Sequence, residues 1–145
     1  MKTILVGLDG SPRAAGVLST AITIARAQQA KVHLLRSVGI PPEVPQEFWK
    51  TTDKPLIDVL RERAKVELEE QYSRVPAELR AGVEVVVGVP WQTICDRAGV
   101  ERVDLVVIGS HGYGGLDRVL GTTAAKVVNH APCSVVVVRE PQRRA

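Results

Sequence analysis

"DLVVIGSHGYGGLDRVLGTTAAKVV", residues 104–128, is the stretch on which the fold turns. A short apolar run is followed by five of the chain's twelve glycines within positions 109–121, and then by residues that suit a helix. The run is uniformly apolar and rich in β-branched residues, which predicts a strand over 104–109 buried on both faces. The same strand, turn and helix succession recurs upstream. "TILVGL", residues 3–8, predicts a first strand and "DGSP" a turn. Ala14, Leu18, Ala21, Ile22 and Ala25 then recur at helical spacing through a helix reaching about Gln29. "KVHLLRSV", residues 31–38, predicts a second strand, and residues 39–53, with three prolines and no period, a long loop anchored by Phe48 and Trp49. Leu56, Leu60, Ala64 and Leu68 mark an amphipathic helix from Pro55 to about Tyr72, with Lys65 and Glu69 paired on its charged face. Val83, Val85 and Val87 alternate through a third strand ending at Gly88, and a short helix opens near Pro90 and stops at Gly99. A last helix over 122–130 precedes a fifth strand, "SVVVVRE", residues 134–140.

Strands alternating with helices, and apolar throughout, argue an α/β fold: a doubly wound, five-stranded parallel sheet with helices on both faces, Rossmann-like. Right-handed crossovers restrict the topology, and the precedent of such folds gives the order 3-2-1-4-5. The order reverses between the first and fourth strands. Open sheets bind ligands at the carboxyl ends of the strands flanking that reversal, here the ends carrying Asp9 and Gly109. The expected organisation is one domain over 1–140 and a disordered basic tail over 141–145.

Composition narrows the function. At 145 residues and 45% apolar, the chain can bury one core. No apolar run reaches the roughly 18 residues that span a bilayer, and no cleavage pattern follows "MKTILVGLDG"; no membrane partner and a cytoplasmic location are expected. Cys95 and Cys133 stand apart without CxxC or His partners, which argues against a zinc site or disulfide scaffold. Of the formal charge of +3, Arg139, Glu140, Arg143 and Arg144 supply +2, leaving +1 for the body. With so few aromatics and no basic stripe, no nucleic-acid partner is expected.

Two readings of the glycine loop stand side by side. Clustered glycines let backbone N–H groups converge on an anion, and the N-terminus of the helix near Thr122 adds its own donors; the alternative is a plain loop. Ser110, Thr122 and Thr123 could add hydroxyls, and Arg118 and Lys126 are the nearby cations. Neither a Walker loop nor a dinucleotide fingerprint is present. Asp9 and Ser11 either cap the first helix or, in Asp9's case, meet a ribose or a Mg²⁺ ion. His111 is either a phosphate donor or an exposed polar side chain, and His33 and His130 read as structural. No Ser-His-Asp order, metal-ligand cluster or water-activating base is evident, so no catalytic residue is assigned.

Three stretches in combination, "ILVGLDGSPRAAGVLSTAITIA", "EVVVGVPWQTICDRA" and "DLVVIGSHGYGGLDRVLGTTAAKVVNHAPCSVVVV", resemble the universal stress protein family (UspA-like) across essentially the whole chain. The resemblance implies the 3-2-1-4-5 sheet and a homodimer made through the last strand, residues 134–138. A β-forming edge such as "SVVVV" needs a cover in any case. It also implies an adenine nucleotide, ATP in many members. Gly7, Leu8, Asp9, Val38, Val87 and Val89 would lie on the adenine and ribose side, with Ser11 beside Asp9. Gly109, Ser110, His111, Gly112, Gly115, Gly121, Thr122 and Thr123 would lie on the phosphate side, with Mg²⁺ reached through Asp9. One departure concerns spacing: the family's ATP pattern has nine residues between its second and third key glycines, whereas Gly112 and Gly121 enclose eight. One deletion in a helical turn rotates the residues beyond it by about 100°. The expected role is a nucleotide-binding homodimeric regulator in the stress response with little or no turnover. The alternatives are a nucleotide-independent interaction protein and a slow Mg-dependent ATPase.

Overall fold

A computed structural model of the chain describes residues 1–39, 46–110 and 120–139, with 46–55 described by backbone alone. The order of elements is β1 (Thr3–Gly7), α1 (Ala14–Gln28), β2 (Lys31–Val38), α2 (Gln46–Ser73), a 3₁₀ turn (Ala77–Leu79), β3 (Arg80–Val87), α3 (Pro90–Val100), β4 (Leu105–Gly109), α4 (Thr122–His130) and β5 (Ser134–Val138). The strands form one sheet in the order β3-β2-β1-β4-β5, every pair parallel, as the alternation of elements predicts.

β1 is the central strand: Val6 pairs with Leu34 on one side and with Val107 on the other. Its neighbours on both faces are helices, which is why its sequence is continuously apolar. Ile4, Val6, Leu34 and Val107 face one core layer, shared with Val17, Leu18, Ala21 and Ala25 of α1 and Leu68 of α2. Leu5, Leu35, Val106 and Ile108 face the other, shared with Ile94 and Ala98 of α3 and Ala124 and Val127 of α4. Each fully buried branched side chain contributes about 1.5–3 kcal/mol relative to exposure. These two layers fix where the strand ends, and so the site, must lie.

Several boundaries differ from expectation. The loop predicted over 39–53 is shorter, because α2 begins at Gln46 and runs through Pro55. Proline inside a helix removes one N–H donor and crowds the carbonyl of the preceding turn, which is why Pro55 predicts a helix start; here the helix continues through it. Phe48 and Trp49 fall within this helix, and their side chains lie outside the described residues. Leu56 is exposed although it shares the period of Ala64 and Leu68, which are buried. β3 starts at Arg80, three residues before Val83, and as an edge strand it leaves Val83 and Val87 exposed. α3 continues past Gly99 to Val100, and the left-handed residue that ends it is Arg102, φ 49°. α1 ends the same way on Gln29, φ 53°, with the Ala30 N–H closing on the Ala25 carbonyl at 2.9 Å. Glycine is not needed where such a 6→1 bond stabilises the exit. No helix among the described residues is long and apolar enough to cross a membrane. The tail expected over 141–145 lies outside the described residues.

Candidate functional site

The carboxyl ends of β1 and β4 lie side by side at the point where the strand order reverses. Gly7 closes β1, and a Cβ there would stand 3.0 Å from Ile94 Cδ1 and 3.1 Å from Ile108 Cγ2. Gly109 closes β4, and a Cβ there would stand 3.3 Å from Val17 Cγ2. Both strand ends are therefore floored by tightly packed core, and the chain that leaves them must do so as backbone. Leu8 remains buried and its N–H still donates to the Leu35 carbonyl at 2.9 Å. Asp9 is the first residue free of the sheet.

Asp9 and Ser11 do not cap α1. Arg13 is the N-cap and no side chain caps it. The Asp9 Oδ1 instead accepts the Ser11 N–H at 2.9 Å and the Ser11 hydroxyl at 2.6 Å, and the Ser11 Oγ accepts the Arg13 N–H at 3.3 Å. The short polar side chains are spent on a local turn that competes with helix geometry, which delays the helix to Ala14. With Oδ1 engaged, Oδ2 is the oxygen of Asp9 that can reach a ribose hydroxyl or a cation. No group of three potential ligands for a metal occurs among the described residues.

The opposite wall starts at Ser110, which is buried. Its N–H donates to the Val138 carbonyl and its own carbonyl accepts the Gly121 N–H, both at 3.0 Å. The first bond continues the β4–β5 ladder, and the second brings the beginning and end of the glycine-rich segment together at the end of β4. Gly121 is the N-cap of α4 in extended backbone, φ −61° and ψ 163°, without a side-chain cap. Thr122 is exposed and Thr123 half-buried in the first turn of that helix. His111, Gly112 and Gly115, and with them the eight-residue gap from Gly112 to Gly121, lie outside the described residues.

The remaining candidates sit further out. Val38 ends β2 in the core, its carbonyl accepting the Gly88 N–H at 3.0 Å. Val87 and Val89 lie on the far edge strand and its exit, two strands from β1, where they line a depression of about 330 Å³ with Gln92, Thr93 and Arg97 of α3. The Lys126 ammonium lies over Trp91, 5.2 Å from the ring centroid. Trp91 also packs on His130, ring centroids 4.9 Å apart, and His130 Nδ1 is 2.8 Å from the Lys126 carbonyl, a structural role for that histidine. His33 is held in the sheet, its Nε2 3.8 Å from Glu84 Oε2. Cys95 and Cys133 are half-buried thiols in the α3–α4 layer, and burial pushes both upward from the ordinary thiol range. Such thiols are poor nucleophiles at neutral pH.

One residue near the site carries no signal in the sequence. Arg36 of β2 lies against Gly10: a Cβ on Gly10 would stand 2.8 Å from its Nη2. The cations adjacent in sequence to the loop are Arg118 and Lys126, whereas Arg36 is brought there only by the pairing of β1 with β2.

Comparison with known proteins gives concordant matches. The model of the Universal stress protein family matches residues 1–139. The chain is 31% identical to universal stress protein MJ0531 of Methanocaldococcus jannaschii over 148 residues, covering 98% of this chain and 84% of that protein. Among solved structures it is similar to universal stress protein UspA from Lactobacillus plantarum, with a TM-score of 0.81 and 30% identity over 95% of this chain and 97% of the other. It is also similar to a universal stress protein crystallised in complex with cAMP, with a TM-score of 0.65 and 25% identity over 95% and 96% of the two chains.

Proposed function

We propose that this chain, which belongs to the universal stress protein family, binds an adenine nucleotide in the cleft between the Asp9 turn and the segment that leaves Ser110. The observation that carries the reading is the closure of that segment onto β4 by the Gly121 N–H to Ser110 carbonyl bond. What supports it is that this bond brings the uncapped first turn of α4 back to the end of β4, the strand that pairs with β1 at the reversal of the strand order. A helix N-terminus offers unpaired N–H donors and a favourable dipole to phosphate, and Thr122 and Thr123 add hydroxyls. The carboxylate of Asp9 suits a ribose hydroxyl. The relative crystallised with cAMP supports an adenine nucleotide as the ligand class.

Within that class the preferred ligand is ATP, with Mg²⁺ held by the phosphates and Asp9 and with little or no hydrolysis. The carboxylate of Asp9 is engaged by Ser11 rather than poised to activate water, so the role assigned is regulatory, in the stress response of a cytoplasmic homodimer formed along β5. The first measurement is direct: freshly purified protein is denatured and the released small molecules are identified by mass. A stoichiometric adenine nucleotide is expected, and Gly112→Val should abolish it. If no nucleotide is released, none binds when added, and Gly112→Val changes nothing, the chain is a nucleotide-independent interaction protein of the same fold. Magnesium-dependent turnover lost in Asp9→Ala would instead make it an ATPase.

A further inference from the structure

Arg36 and Glu67 form an ion pair between β2 and α2, Nη1 to Oε2, and the arginine side chain is only 16% exposed. A guanidinium so enclosed requires a partner, because an unpaired buried charge is strongly unfavourable. The Nη2 end of the same guanidinium lies against Gly10, whose absent Cβ would stand 2.8 Å from Nη2, 3.4 Å from Cζ and 3.6 Å from Nη1. The Asp9 turn is thus in contact with a group whose position is set by α2. Its internal bonds, Ser11 N–H and hydroxyl to Asp9, determine its shape but do not tie it to the sheet. The Leu8 N–H to the Leu35 carbonyl is its last ladder bond, and Arg36 is the next residue along that strand.

We infer that Arg36 is a positioning residue: pinned by Glu67, its guanidinium forms the surface on which Gly10 rests and so sets the height of Asp9 at the ligand cleft. This links α2 to the cleft. The consequence for ligand affinity rests on the nucleotide reading proposed above, whereas the mechanical link does not.

The test is a double-mutant cycle on the full chain with two readouts: ATP affinity, and the backbone amide resonances of residues 9–11 without nucleotide. Gly10→Ala should weaken ATP about fivefold, and less than about twofold in an Arg36→Gln background, a coupling of at least about 2.5-fold, within the range seen between residues in contact. Glu67→Gln should weaken ATP about threefold and have no further effect once Arg36→Gln is present. In nucleotide-free protein Glu67→Gln should shift the amides of residues 9–11, though Glu67 itself lies on another element, and Arg36→Lys, which keeps the charge and the pair, should shift them less than Arg36→Gln. Additive effects on affinity, or unmoved amides in folded Glu67→Gln protein, overturn the inference. If the wild type binds no adenine nucleotide, the proposed function fails and the amide shifts alone decide the role of Arg36.

Discussion

Gly7 belongs to the sequence motif that points to a ligand, yet the structure gives it a mechanical duty that can be measured. Alanine at this position puts a methyl group 3.0 Å from Ile94 Cδ1 and 3.1 Å from Ile108 Cγ2. Carbon atoms pack best at about 3.5–4.0 Å, so both contacts must be relieved by movement of α3 or β4. Forcing an extra methyl group into a close-packed core costs about 1–3 kcal/mol. The backbone of Gly7 is not left-handed, so alanine recovers about 0.5–1 kcal/mol of unfolded-state entropy. Gly7→Ala should therefore lower stability by about 1 kcal/mol, the difference between the mid-range values of these two contributions. Ile94→Val removes the closer of the two clashing atoms and by itself costs about 0.5–1.5 kcal/mol. Together the two substitutions should cost at least about 0.5 kcal/mol less than their sum, because each relieves what the other disturbs. Urea unfolding of the four proteins at neutral pH measures both quantities. A Gly7→Ala protein as stable as wild type, or strict additivity with Ile94→Val, would refute the packing argument.

Gln29 adopts φ 53° at the end of α1, a region that costs a residue with a Cβ about 1–2 kcal/mol. Gln29→Gly should raise the thermal midpoint by a few degrees in calorimetry, and an unchanged or lower midpoint counts against it. The exposed carboxylate of Asp104 accepts the Lys2 N–H at 2.7 Å and the Thr3 N–H at 3.0 Å, and these two bonds, the Lys2 one foremost, hold it below the usual carboxylate range. A depressed folded-state value means that the stabilisation is present above the unfolded value of about 3.9 and is lost as pH falls through the folded one. Asp104→Asn should consequently be less stable than wild type at pH 6, with the gap closing in denaturation curves below pH 4; a gap independent of pH contradicts the assignment. For the homodimer along 134–138, light scattering at micromolar concentration should return twice the monomer mass, and a monomer would sink that proposal.

The layered fold was legible because burial on two faces leaves a mark in composition. "TILVGL" and "DLVVIG" are apolar at every position that the helices cover, and turn residues punctuate each strand. The start of α2 was not legible, since Pro55 signals a first turn by its missing donor while the packing of Ala64 and Leu68 sustains a helix that began at Gln46. The end of α1 near Gln29 was legible, but the left-handed backbone of Gln29 and Arg102 was not, because bonds to the Ala25 and Ala98 carbonyls hold ordinary residues in a conformation that sequence rules reserve for glycine.

In the sequence, periodicity and the alternation of elements carried the strands and the parallel α/β class, the precedent of such folds supplied the strand order, and the motif residues marked the two strand ends at its reversal. Tertiary structure alone decided what Asp9 does with its carboxylate, that Lys126 sits on Trp91, and that Arg36 lies against Gly10. Each of these depends on which side chain arrives from another element, and contacts between residues distant in the chain have no period to read.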